Sequence, residues 1–226
     1  MTQRNGNETT SKESHSPPSG ETPTINSVES GSVDDQYTST VGRLRRGGIG
    51  LRHAEFVADM LLHPDKRDTD SPWWKMFLSE LHRLDTGMLD VLAGPRGRGK
   101  TALACMLLGH KCWLGERFRY TTAMDLLQHI KDGFGNPDIK VKALYATYPV
   151  LVIDEFHNAD PSDWAHRTIE SIIDDRYRNK RDTILITNDK PEQFVRQAGE
   201  SIASRVKECG EVLVLSGRDY RERADD

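Results

Sequence analysis

Gly94-Pro-Arg-Gly-Arg-Gly-Lys-Thr101 follows the apolar run Met88-Leu-Asp-Val-Leu-Ala93 and precedes a helix-forming segment that reaches about Trp113. The stretch fits G-x-x-x-x-G-K-[ST] in the strand-then-helix setting that a phosphate-binding loop requires. Its glycines let backbone N–H groups turn inward around phosphate oxygens, and the N-terminal end of the next helix faces the same anion. Lys100 adds a point charge toward the β- and γ-phosphates, and the Thr101 hydroxyl is a ligand for Mg²⁺. The candidate nucleotide-binding segment is therefore Gly94, Pro95, Arg96, Gly97, Arg98, Gly99, Lys100, Thr101 and Ala102. The cofactors implied are ATP and Mg²⁺.

A second feature lies downstream. Val150-Leu-Val-Ile-Asp154-Glu155 is an aliphatic strand ending in acids, which sets a carboxylate at the C-terminal edge of a parallel sheet, where ligands bind. Asp154 is the expected second Mg²⁺ ligand, and Glu155 the group that polarises the attacking water. Thr187-Asn188 ends the next strand, so the Asn188 amide is expected to reach the γ-phosphate or that water. Arg205, in a short helix before the last strand, is the candidate arginine finger for a neighbouring subunit.

The 226 residues carry a net charge of −4, so any contact with nucleic acid must be local rather than global. Three cysteines without C-x-x-C spacing exclude a disulfide framework or zinc site. No apolar run is long enough to span a bilayer, so no membrane partner is expected, and a reducing cytoplasm is the expected location.

Residues 1–40 are polar and acidic and are expected to be a disordered tail. Residues 41–87 form a basic linker, with Arg43, Arg45, Arg46 and Arg52 among glycines, followed by two helices. This arginine patch either contacts a phosphate backbone or solvates the linker. Trp73 and Trp74 belong to the stripe of the second helix and are expected in the core. Residues 88–226 alternate strands with helices, as in a parallel α/β sheet covered on both faces. Thr122 and Asp125 form a capping box for a helix with Met124, Leu127 and Ile130 on one face. Asp160 and Pro161 are expected to start the next helix.

Together these pieces resemble the AAA+ ATPases, and among them the DnaC/IstB-like clade of helicase loaders and transposition helper ATPases. The resemblance spans about Ile49 to Arg221. Besides the two motifs above, it is carried by Arg119-Tyr-Thr-Thr…Phe134, Ile172 to Asn188, Ser201-Ile-Ala-Ser-Arg-Val206 and Val212 to Arg221. It implies a three-layer P-loop fold with a five-stranded parallel sheet ordered 5-1-4-3-2 and no C-terminal lid. It also implies homo-oligomers on ATP binding and contact with single- or double-stranded DNA. Asn188 would be sensor I, Arg205 the trans-acting finger, and Arg176 and Arg178 second trans contacts. Lys100, Glu155, Asn188 and Arg205 are thus the expected catalytic set. The implied function is an ATPase that loads or positions a client on DNA, a replicative helicase or alternatively a transposase. The candidate DNA track is His129, Lys131, Lys140 and Lys142. A nucleotide kinase shares the phosphate loop but needs an arginine-rich lid, and none is visible here.

Overall fold

In a computed structural model, residues 32–133, 141–158, 162–217 and 219–220 are described. Five parallel strands form one sheet: β1 (Leu89–Ala93), β2 (Phe118–Thr122), β3 (Val150–Asp154), β4 (Asp182–Ile186) and β5 (Val212–Val214). Their spatial order is β2-β3-β4-β1-β5, which is the implied 5-1-4-3-2 read from the other edge. Every residue of β1, β3 and β4 is buried, as expected of strands covered on both faces.

Strand alternation divides the core in two. Val150, Val152, Ile184 and Ile186 point toward α4 (Lys100–Trp113), the helix after the phosphate loop. Leu151, Ile153 and Leu185 point toward α5 (Ala123–Asp132), α7 (Asp163–Arg178) and α8 (Pro191–Cys209). The short α6 (Val141–Thr147) packs beside α7 and adds Val141 and Tyr145 to that second core.

The expected boundaries at residues 40 and 88 do not hold. Residues 1–31 lie outside the described residues, but Val33–Arg46 is a helix, α1, capped by Ser32 in a reciprocal box with Asp35. Val33, Tyr37, Val41 and Leu44 recur at helical spacing, and Leu44 is fully buried. With α2 (Leu51–Leu62) and α3 (Pro72–Arg83), α1 packs on α4 and shares its core, so residues 41–87 are a layer of the domain rather than a linker. Trp74 and Phe77 are buried there as expected, and Trp73 is half-buried.

The glycines among the arginines have a structural reason. Gly47 accepts a hydrogen bond from Tyr120 N–H at 2.8 Å, along the open side of edge strand β2. A Cβ on Gly47 would lie 2.0 Å from the Phe118 ring, and one on Gly48, at φ +98°, would lie 2.1 Å from Tyr120 O. Only glycine permits that approach.

Smaller expectations change too. Of the expected box only the half in which Thr122 Oγ1 accepts from Asp125 N–H at 3.0 Å is formed, and Met124 is exposed while Leu126 takes its place in the core. Ser162 caps α7, while Asp160 and Pro161 lie outside the described residues. The short helix expected at Ser201 is the second half of α8, which bends at Gly199.

Candidate functional site

The phosphate loop joins β1 to α4 at the C-terminal edge of the sheet. Gly94, Gly97 and Gly99 all have positive φ, the backbone twist that turns successive N–H groups to one side. Lys100 is buried, and its ammonium donates to Gly94 O at 2.6 Å, Pro95 O at 2.7 Å and Asn188 Oδ1 at 3.0 Å. Sequence-distant Lys100 and Asn188 are therefore brought together by the adjacency of β1 and β4.

Asp154 ends β3 and is buried. Its Oδ2 accepts from Thr101 Oγ1 at 2.9 Å, so the two expected metal ligands converge on one point. Hydroxyl and carboxylate oxygens are the hard donors Mg²⁺ takes, and this pair fits that ion. The same Oδ2 accepts from Tyr120 OH at 2.7 Å, and Oδ1 accepts from Glu155 N–H at 2.6 Å. Burial, with Asp154 alongside, raises the Tyr120 phenol far above its usual range, so it remains a donor.

Glu155 is exposed and sits at φ +54°, a left-handed conformation that costs a non-glycine residue roughly 1 kcal/mol or more. It opens the turn Phe156–Asn158, closed by Asn158 N–H to Glu155 O at 2.8 Å. That turn presents His157 to Asn188. The ring lies 3.0 Å from Asn188 Nδ2 and 3.3 Å from its backbone nitrogen. Tyr120 and His157 were not foreseen. Each lies beside a motif, and only the strand order reveals what it touches.

Arg205 lies apart from this cluster. Its guanidinium pairs with Asp174 of α7, donates to Ser201 O at 2.9 Å and stands 5.3 Å over the Tyr177 ring. Its Nε is buried with no hydrogen-bond partner. Arg178 is exposed and pairs with Asp174 and Asp175.

Arg176 corrects an expectation. It is fully buried and donates to Thr183 Oγ1, to the carbonyls of Tyr145, Tyr148 and Pro149, and to Asp182 O. Burial, with Arg181 nearby, pulls its guanidinium down to about 9 against the pull of Asp182. It is not available to a neighbouring subunit.

Of the expected DNA track, His129 faces the Tyr145 hydroxyl, Lys131 stands over the Trp164 ring, Lys142 is exposed, and Lys140 lies outside the described residues. Among the described residues no helix is long and apolar enough to cross a membrane.

Residues 77–224 match the family described as IstB-like ATP binding protein. The replicative helicase loader DnaC of Escherichia coli K12 is 28% identical over 137 residues, 59% of this chain and 56% of that protein. The chain thus spans little more than half the length of the curated relatives it matches. A crystal structure of the DnaC helicase loader superposes with a TM-score of 0.58 at 26% identity, covering 67% of this chain and 92% of that one. AMPPCP-bound DnaA from Aquifex aeolicus shares the fold, with a TM-score of 0.56 at 19% identity over 66% of this chain and 47% of that one. With the phosphate loop, the Asp154 edge and the strand order all in place, the chain belongs to the IstB-like ATP-binding family, the DnaC/IstB-like branch of the AAA+ proteins.

Proposed function

We propose that this protein hydrolyses ATP with Mg²⁺ and uses ATP-dependent self-assembly on DNA to load a client, a replicative helicase. The observation that carries hydrolysis is Glu155, exposed and held left-handed one residue beyond Asp154. Thr101 and Asp154 would hold the metal, which when bound neutralises charge on the phosphates. Lys100 exchanges its loop carbonyls for phosphate oxygens while Asn188 stays beside it. Glu155 accepts a proton from the attacking water, and Asn188 orients that water.

Arg205, half-buried on α8, serves the nucleotide of an adjacent copy. His129, Lys131 and Lys142 contact DNA. The DnaC matches support the helicase client. The IstB-like family match favours a second reading, the same machine acting on a transposase.

Lys100→Ala should abolish nucleotide binding. Glu155→Gln should retain binding and lose about 10²–10⁴ in turnover, since an amide takes no proton. Wild-type turnover in Glu155→Gln sinks the assignment. Mass spectrometry of what the ATP-loaded Glu155→Gln protein retains on DNA separates helicase from transposase.

A further inference from the structure

A pocket of about 240 Å³ opens at the other end of edge strand β2, where α1 ends and α4 hands over to the strand. Arg43, Arg46, Glu116, Arg117, Phe118 and Tyr148 line it. In the parallel β2–β3 pair, Phe118 and Val150 mark this end and Thr122 and Asp154 the ATP end. At about 3.3 Å per residue the two sites stand roughly 13 Å apart along the strand.

The charges in this pocket are unbalanced. Among the described residues, none of the three guanidiniums pairs with a carboxylate. Arg43 donates to Cys112 O, Arg117 lies 5.1 Å over the Tyr148 ring, and Arg46 is exposed. The one acid in the wall, Glu116, is engaged by Lys111 at 2.9 Å. Arg119 continues the row two residues along β2, with Nε 3.5 Å from where a Cβ on Gly48 would stand, and Arg45 is exposed on the same end of α1.

We propose that this pocket grips the phosphodiester backbone of a single nucleic-acid strand, at a site separate from ATP and from the α5–α6 helices. The pocket cations left without a carboxylate are all arginines, whose planar forks bind phosphate oxygens bidentately and shed water more readily than lysine. Arg117 and Arg119 are about 6.6 Å apart along the strand, so they serve successive anions rather than one. The Arg117 guanidinium held on the Tyr148 ring presents a planar cation on which a base of any sequence can stack. An isolated phosphate would use neither the ring nor the row. The site needs no ATP, because none of its residues belongs to the nucleotide cluster.

The test is fluorescence anisotropy of the full chain with a labelled oligo-dT of roughly 20 nucleotides, without nucleotide, across a salt series. Arg46→Glu/Arg117→Glu should weaken binding about tenfold or more and lower the salt slope by about 1.4, two contacts at about 0.7 each. Arg46→Ala/Arg117→Ala, which removes the charge without reversing it, should show the same slope change. ATP affinity should be unchanged in both pairs, which excludes loss of fold. Lys131→Ala/Lys142→Ala, run in parallel, should weaken nucleotide-free binding less than either arginine pair. Unchanged affinity and slope in the arginine pairs would overturn the proposal. So would loss confined to the lysine pair, which would leave DNA at α5–α6 standing. Inorganic phosphate alone displacing the strand at equal anion concentration would reduce the pocket to a free-phosphate site, and preferential capture of a poly-glutamate peptide would assign it to an acidic protein.

Discussion

The two ends of the sheet treat charge in opposite ways. At the C-terminal ends of the strands, Glu155 is exposed in a left-handed conformation and Lys100 rests on neutral oxygens of the loop and of Asn188. At the N-terminal ends, the arginine pocket beside β2 apart, charges are buried and consumed by their own chain. Arg176 donates to four backbone carbonyls and a hydroxyl, and the Asp182 carboxylate clips Asp85, Gly87 and Met88 N–H. Lys111 is buried between Asp85 at 2.6 Å and Glu116 at 2.9 Å. A charge buried on its own chain holds the fold, and one exposed at the mouth of a site, as Glu155 is, can meet a ligand.

Arg205 tests this division hardest, since it is ion-paired to Asp174 yet only half-buried. If it serves a neighbouring copy, Arg205→Ala should bind ATP normally and lose roughly 10³ or more in hydrolysis. Mixing it with Lys100→Ala should restore activity, because intact pockets then meet intact fingers. A flat mixing curve with oligomers confirmed by light scattering would move Arg205 to the structural group. The converse holds for Arg176. Arg176→Met strands the carbonyls around it and should cost about 3–5 kcal/mol of stability in denaturant titrations. An Arg176→Met protein of wild-type stability but impaired subunit communication would place Arg176 at a subunit interface instead.

A smaller effect is expected at His157, which touches the Asn188 amide rather than substrate. His157→Phe should lower kcat about tenfold, roughly 1.4 kcal/mol of barrier, at unchanged KM for ATP. His157→Gln, which can still accept from Asn188, should recover most of it. A change in KM alone would reassign the residue to binding.

The last effect, on stability against pH rather than on turnover, belongs to Glu80. Burial, then the neighbouring Asp90, push its carboxyl up to about 8, while Arg83 opposes the shift. Folded Glu80 stays protonated where the unfolded chain has already ionised. Stability is therefore lost as pH rises from about 4.5 to about 8, and is level beyond. Glu80→Gln should be neutral at pH 5 and raise Tm by about 2–4 °C at pH 8 for each kcal/mol removed. A gain equal at both pH values would mean that the carboxyl is ionised in the fold.

The nucleotide end was largely legible in the sequence. Its chemistry demands particular residue types at fixed spacing, so Lys100, Thr101, Asp154 and Asn188 could be named and they do converge. The partners that steady them could not be read, because Tyr120 reaches Asp154 and His157 reaches Asn188 only through strand adjacency. The scaffold end misled for a related reason. Arg176 and Arg205 are both helix arginines among polar neighbours, and only burial separates them. Helix α1 was missed because its apolar stripe is sparse and interrupted by Gly42, although Val33, Tyr37, Val41 and Leu44 keep the period.

The hydrogen bond from Tyr120 to Gly47 also limits how copies of this chain can join. A bare outer strand is a template on which a second chain can add, and runaway addition gives fibres rather than rings. Here Gly47 takes the middle position of that row, which interrupts a continuous ladder and directs association on this side to side chains, which permit a closed or defined assembly. A fragment trimmed to residues 88–226 would remove this guard along with the cover on α4. Such a fragment would keep every nucleotide-binding motif and still be expected to aggregate.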